Sequence, residues 1–248
     1  EQQTPAAPAP LLHVMDGGEL VALDLNRLQS LIESACVNLG ADVKADPIVA
    51  ETMRNLYDGV PMDEVYKASI LAARTLIETD PDYTYATARL LLHTIVREVL
   101  GREVTQNDMG QAYIDYFPQF IKKGVENELL DERLLQQYDL QRLGAAINAD
   151  RDLQFDYLGL QTLYDRYFLH VKKNRIELPQ AFFMRVAMGL ALNEVDREAR
   201  AIEFYEVLSS FDFMSSTPTL FNSGTLRSQL SSCYLTTVPD DLGGIYDA

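Results

Sequence analysis

The sequence predicts a mainly α-helical protein that opens with a small β cap, and three observations carry that expectation. Apolar residues recur at i, i+3, i+4 and i+7 in successive windows between residues 25 and 100. Short intervals between these windows hold helix-starting Asp and Pro residues and helix-ending glycines. Near the start, Met15-Asp-Gly-Gly18 separates two short apolar runs, a hairpin signal.

Composition narrows the class. With 248 residues and 47% hydrophobic content the chain can bury a substantial core in one large or two medium domains. A formal net charge of -16 argues against a broad phosphate-binding face, so no nucleic-acid partner is expected, although one small basic pocket suffices for a nucleotide. Uncharged apolar runs such as Leu90–Val96 are far too short to cross a bilayer, and the start has neither a basic region nor an apolar signal segment, so no membrane partner is expected. Only Cys36 and Cys233 occur, which argues against a secreted disulfide scaffold and for a reducing, cytoplasmic setting. His13, His93 and His170 are scattered without ligand spacing, so no protein metal site is expected.

In chain order, Glu1–Pro10 carries three prolines and three alanines and reads as a linker or tail. It lacks an initiator Met, and the far end stops soon after a strand-like segment, so the chain is expected to be a fragment. Leu11–Val14 and Glu19–Leu23 form the hairpin. Asp24 caps a helix with Leu28, Leu31, Ile32, Ala35 and Leu39 on one face, and Cys36 beside that stripe reads as packing. Asp46 and Pro47 are placed as N-cap and first residue of a second helix reaching Leu56. A third carries Val65, Ala68, Ser69, Ala72 and Leu76. A fourth runs from about Tyr83 to Leu100 with Tyr85, Ala88, Leu92, Ile95 and Val99 inward and Gly101 as its stop. Residues 11–101 thus read as a four-helix domain under a β cap.

Residues 102–215 read as a second helical domain. The acidic stretch from Asn107 to Ile147 has Gly124 and Gly144 as breaks and Pro118 as a kink or boundary. Phe155, Tyr157, Tyr164, Tyr167 and Phe168 are spaced for helix packing, and Leu169–Ile176 reads as a hairpin. Pro179 opens a helix to Leu192 that is nearly all apolar and expected to be buried all round. Another helix spans about Asp196 to Ser210.

The last stretch, 216–248, differs in kind. Ser216–Leu235 gathers small hydroxyl residues, Gly224 and Cys233, and Gln229–Thr237 alternates as a strand does. Hydroxyls and a turn glycine suit an anionic small molecule, and a thiol beside them can exchange electrons. By pattern alone the stretch equally fits an ordinary loop followed by a strand with a buried cysteine.

Thr217-Pro-Thr-Leu-Phe-Asn-Ser-Gly224 followed by Gln229-Leu-Ser-Ser-Cys233-Tyr-Leu closely resembles the large, catalytic subunit of class I ribonucleotide reductase. The likeness extends upstream through Asp150-Arg-Asp-Leu-Gln-Phe-Asp-Tyr157, Arg166-Tyr-Phe168 and Pro179-Gln-Ala-Phe-Phe-Met-Arg185, and downstream through Pro239-Asp-Asp-Leu242. The resemblance implies that residues 11–101 are that family's regulatory ATP cone and that residues 216–248 start an α/β catalytic barrel with its specificity-effector loop. It implies reduction of ribonucleotides to deoxyribonucleotides by a radical mechanism. Cys233 would be one thiol of a redox-active pair whose other members lie beyond residue 248, so these residues alone are expected to be inactive. By the same resemblance Thr217 contacts the substrate diphosphate, Ser232 the ribose, and Asp240, Asp241 and Leu242 an effector nucleotide.

The ATP cone is expected to be degenerate. The family's phosphate-holding lysine, threonine and basic residue fall here on Val14, Met62 and Arg97, so ATP or dATP should bind weakly or not at all. A second reading makes this the inner cone of two in series. The resemblance implies no cofactor held by this chain itself. It implies allosteric nucleotides with magnesium, a radical-generating small subunit, thioredoxin or glutaredoxin, and a homodimer or larger oligomer. The competing readings are a non-catalytic, nucleotide-responsive regulatory or oligomerisation module, and a plain structural helical protein.

Overall fold

The computed structural model describes residues 12–247, so the tail Glu1–Pro10 lies outside the described residues. In chain order the elements are β1 (His13–Asp16), β2 (Glu19–Ala22), α1 (Leu25–Cys36), α2 (Ala45–Arg54), β3 (Val60–Pro61), α3 (Met62–Thr75), α4 (Tyr83–Leu100), α5 (Met109–Glu126), α6 (Arg133–Gln136), α7 (Leu140–Ala145), α8 (Tyr157–Thr162), β4 (His170–Val171), β5 (Asn174–Arg175), α9 (Pro179–Ala191), α10 (Arg197–Ser209), α11 (Thr217–Asn222) and α12 (Leu242–Asp247). Helix dominates, as the sequence predicts. Among the described residues no helix is long and apolar enough to cross a membrane. One compact unit gathers the chain up to Thr105 with Asp150–Arg166, and a second gathers Gln106–Ala149 with the chain from Tyr167 onward.

In the first unit β1 and β2 pair antiparallel, Val14 opposite Val21, across the predicted turn. Gly17 and Gly18 sit there at φ 59° and 89°, a two-residue turn only glycine makes without strain. A third strand, unread in the sequence, completes the sheet in the order β2-β1-β3, with β3 parallel to β1. Two residues are too few for alternation to show. The loop before it is pinned by the His13 N–H donating to Asp58 Oδ1 at 2.7 Å and the Gly59 N–H to the His13 carbonyl at 2.8 Å.

The helices follow their apolar stripes. Asp24 caps α1, its Oδ1 accepting from Arg27 N at 3.0 Å, and Leu28, Ile32 and Ala35 are buried. Helix α4 runs from Tyr83 to Leu100 and ends on left-handed Gly101, as predicted, although Tyr85 and Val99 are only half-buried. Helix α2 corrects an expectation: Lys44, not Asp46, is its cap, and Pro47 is its third residue. Proline costs nothing there, because the first four helical N–H groups have no partner within the helix. Half-buried Cys36 ends α1, where Arg89 of α4 donates to the Ala35 and Val37 carbonyls at 3.2 and 2.6 Å. Burial pushes the Cys36 thiol pKa up, which suits packing rather than reactivity. Residues 150–166 close on α4, with Tyr157 N donating to Thr84 Oγ1 at 3.1 Å and Tyr164 Oη to Glu98 Oε2 at 2.6 Å.

In the second unit α9 is buried on nearly every side, as predicted, with Leu190 near its end exposed, and α10 packs along it. Tyr205 of α10 donates to Gln180 Oε1 at 2.8 Å and accepts from Asn148 N at 3.0 Å. The hairpin β4–β5 forms where Leu169–Ile176 predicts it, with Lys172 at φ 56° in its turn. Pro118 neither kinks α5 out of helix nor bounds it, and Gly124 does not break it, since α5 continues to Glu126. Pro118 forgoes one N–H bond to Ile114, and Gly144 of α7 lies against that turn: a β-carbon on Gly144 would stand 3.5 Å from the Ile114 carbonyl oxygen. Gly124 is there for closeness, since a β-carbon on it would meet Leu130 Cδ1 at 2.4 Å.

A last correction concerns Gln229–Thr237, which forms no strand. A strand exists only as one side of a hydrogen-bonded ladder. Here the segment is held by side chains instead, Asn222 Nδ2 donating to the Gln229 carbonyl at 2.7 Å and Thr219 Oγ1 to that of Leu230 at 3.4 Å.

Glu103, just beyond α4, joins three elements of the first unit. It accepts from Tyr66 Oη of α3 and from Arg27 of α1, and His93 Nε2 of α4 lies 3.9 Å away. Burial pushes the Glu103 carboxyl up, but the bonds from Tyr66 and Arg27 outweigh it and leave its pKa below the usual range. Burial likewise holds His93 below 6.5, outweighing the attraction of Glu103. An unfolded chain therefore protonates this histidine before the folded one does, and stability falls as pH drops through about 6.5. The depressed carboxyl adds a second loss, as pH drops through 4.5 and below. Chemical denaturation is expected to find the first unit less stable at about pH 5.5 than at about pH 7, and His93→Gln should remove that decline while sparing the loss at lower pH.

Candidate functional site

The site grows from one charge in an apolar helix. Pro179–Ala191 is hydrophobic on every face, yet it carries Arg185, whose side chain has 0% exposure. A guanidinium withdrawn from water requires a counter-charge and partners for its N–H groups. Glu177, also 0% exposed and two residues before α9, supplies the charge: Arg185 Nε donates to Oε2 at 2.9 Å and Nη2 to Oε1 at 3.0 Å. Glu177 Oε1 also accepts from Leu169 N at 3.1 Å, which ties the pair to the β4–β5 hairpin.

The remaining Arg185 nitrogen orders the hydroxyl-rich loop. Nη1 donates to the carbonyls of Leu220, Phe221 and Ser223 at 3.0, 3.3 and 2.9 Å, at the C-terminal end of α11. Those carbonyls have no partner within the helix, and a cation there also opposes its dipole. Ser223 Oγ donates to the Val186 carbonyl at 2.6 Å. A β-carbon on Gly189 would stand 2.1 Å from Gly224 N, so only glycine lets the loop lie this close to α9. On its other side the loop is bridged to Leu129–Asp131, with Asp131 N donating to the Gly224 carbonyl at 3.0 Å. Beside it opens a cleft of about 240 Å³ lined by Asp131, Arg133, Gly189, Asn193, Gly224 and Ser228, among others. Its cation is already engaged, as Arg133 grips Asp131 through Nε and Nη2 at 3.0 and 2.6 Å and holds that carboxyl below its usual pKa.

Thr217 is the first residue of α11, exposed, its Oγ1 3.2 Å from Tyr167 Oη. Tyr167 lies flat on Phe221, ring centroids 4.3 Å apart and 17° between planes. Ser232 and Cys233 follow in the tethered segment, both exposed, with Ser232 Oγ donating toward Cys233 Sγ at 3.8 Å. The buried strand cysteine of the bland alternative is therefore not what the fold contains. Asp240, Asp241 and Leu242 are exposed at the start of α12, where Asp241 Oδ1 caps the turn by accepting from Gly244 N at 2.9 Å.

The three cone positions lie in the first unit. Val14 is buried in β1 and Met62 opens α3 half-buried. Arg97 of α4 is engaged internally: Nη1 donates to Asp63, Nη2 reaches Asp16 at 3.5 Å, and its guanidinium stands 5.1 Å above the Tyr66 ring.

Sequence reasoning missed Arg185, Glu177, Gly189 and Tyr167. A signal for the first was present, because an arginine inside an otherwise apolar helix demands a buried partner. Removing one member of such a pair strands the other. Arg185→Leu is expected to cost about 3–5 kcal/mol in chemical denaturation of the second unit. Hydrogen exchange should speed up at the amides of Leu220–Gly224 beyond the rise seen elsewhere in the unit.

Comparison with known proteins agrees with this architecture. Residues 153–228 match the profile of the family "Ribonucleotide reductase, all-alpha domain". The chain is 44% identical over 229 residues to the ribonucleoside-diphosphate reductase subunit alpha of Chlamydia trachomatis, covering 92% of this chain and 22% of that protein. It is 36% identical over 238 residues to the corresponding subunit of Helicobacter pylori, covering 95% of the chain and 29% of that protein. It is 33% identical over 242 residues to the large subunit from Danio rerio, covering 95% and 29%. The chain thus spans between a fifth and a third of the length of these relatives. With its α9 and α11 segments inside the matched profile and more than nine-tenths of its length aligned with these relatives, the chain belongs to the family of ribonucleoside-diphosphate reductase large subunits.

Proposed function

We propose that this chain forms part of a ribonucleoside-diphosphate reductase large subunit and contributes one wall of its active site. The observation that carries the reading is the similarity over 92% of the chain to a ribonucleoside-diphosphate reductase subunit alpha, in a chain that presents an exposed Cys233 beside Ser232. Replacing a ribose 2′ hydroxyl by hydrogen takes two electrons. A dithiol supplies them as it closes to a disulfide, and the hydroxyl leaves as water. Cys233 is one of those sulfurs. Cys36 ends a bundle helix half-buried, its thiol pushed up by burial, so another part of the large subunit supplies the second sulfur. These 248 residues by themselves then turn over no ribonucleotide.

Thr217 and Ser232 suit the diphosphate and the ribose because a hydroxyl donates to oxygen without adding charge. Asp240, Asp241 and Leu242 belong to the effector loop, where a carboxylate accepts from a ribose hydroxyl. The partners are a radical-generating small subunit, thioredoxin or glutaredoxin to reopen the disulfide, and a second copy of the large subunit. No cofactor resides in this chain, and nucleotides with magnesium act as allosteric ligands of the assembly. The bundle unit is a cone without nucleotide: Val14 and Met62 offer no phosphate a charge, and Arg97 is held by Asp63 and Asp16. Each charge-assisted bond a triphosphate forgoes there is worth roughly 1.5–3 kcal/mol.

In the full-length subunit with its small subunit, Cys233→Ser is expected to abolish ribonucleoside diphosphate reduction driven by dithiothreitol or thioredoxin. Wild-type turnover by that variant would reject the catalytic reading. Calorimetric titration of the first unit with ATP and dATP should give no micromolar binding, and such binding would reject the degenerate cone.

A further inference from the structure

Resting on the reading that Thr217 holds a substrate phosphate, we infer that Tyr167 is the residue that positions it. Tyr167 and Thr217 are 50 residues apart in sequence, and their hydroxyl oxygens lie 3.2 Å apart. Either oxygen can donate in that geometry, and the two choices differ in consequence. If Thr217 donates to the phenol, its proton is spent. If the phenol donates, Thr217 Oγ1 accepts from Tyr167 and keeps its own proton for an incoming oxygen, and the acceptance also polarises that O–H. An anionic ligand selects the second arrangement, since only there does a proton face the negative charge.

The phenol can hold this post because its ring is fixed on two sides. It stacks on Phe221 at 4.3 Å with 17° between planes, and meets Phe182 edge-on at 6.4 Å and 74°. Phe221 is a residue of α11 whose carbonyl Arg185 holds, and Phe182 is buried in α9. The same helix that starts with Thr217 therefore carries, one turn later, the ring against which Tyr167 lies. Among the described residues the hydrogen-bond neighbour of the Thr217 hydroxyl is this phenol, which therefore sets its proton.

The test uses the full-length large subunit with its small subunit, measuring kcat and KM for a ribonucleoside diphosphate. Tyr167→Phe keeps the ring on Phe221 and removes only the hydroxyl, so the melting temperature should stay close to that of the parent. It is expected to raise KM roughly 3- to 10-fold more than it lowers kcat, the effect of one neutral hydrogen bond on substrate binding. Thr217→Val, which retains the shape without the hydroxyl, should raise KM at least as much. In the Thr217→Val background the tyrosine change should add nothing, because the bond it would break is already gone. A rise with Thr217→Val but none with Tyr167→Phe, or two rises that simply multiply, overturns the positioning role and leaves the substrate reading standing. An unchanged KM in Thr217→Val overturns the substrate reading and the positioning role with it.

Discussion

A guanidinium with no exposed surface, inside a helix that is apolar on every face, is the constraint on which the second unit depends. Arg185 satisfies Glu177 on one side and three carbonyls of the α11 end on the other. Pairs of this kind rarely add net stability over a well-packed hydrophobic replacement, because desolvating both charges costs about as much as their attraction returns. What no hydrophobic residue can do is satisfy three helix-end carbonyls while packing in a core. The pair is therefore best understood as a device of placement. It fixes α11 against α9, and the Gly189–Gly224 approach and the Ser223 bond to Val186 then set the distance.

From that anchor the hydroxyl-rich loop inherits its order. Thr217 starts the helix whose end Arg185 holds, and Thr219 and Asn222 on the same helix tether the segment leading to Ser232 and Cys233. A thiol on a segment held by side chains, rather than within a sheet, stays exposed while its backbone is located. The first unit arranges its charges the other way. Arg27, Arg97 and Arg89 each bind a group of the same unit: Glu103, the Asp63 and Asp16 carboxylates, and the end of α1. In a protein of net charge -16 this leaves these three arginines committed to their own scaffold rather than offered to an anion.

Much of the local structure was legible in the chain. The Gly17-Gly18 turn, the Asp24 cap, the Gly101 stop and the proline opening α9 are each set by the backbone preference of one or two residues, so neighbours in sequence suffice to read them. The misreadings share a cause. Pro118 and Gly124 are punctuation by rule, yet both lie within α5, where one bond is forgone and a missing side chain makes room for Leu130, and Pro47 stands third rather than first in α2, where its missing N–H costs little. Gln229–Thr237 alternates like a strand, but alternation describes only one side of a ladder.

The candidate site divides along the same line. Thr217, Ser232 and Cys233 were named through the resemblance of their motifs to the reductase family, since by pattern alone the same stretch equally fits an ordinary loop. Tyr167 and the Arg185–Glu177 pair act through contacts that span 50, 35 and 8 residues, and no periodic pattern marks such distances. The sequence by itself determined most of the longer helices and several of their caps, since these follow from local backbone preference and the period of the apolar stripe. Only the tertiary structure decided which carbonyls Arg185 would hold, which ring would lie on Phe221 and that Arg97 would be spent internally, because hydrogen bonds and stacking between distant segments exist only once packing has brought the partners within reach.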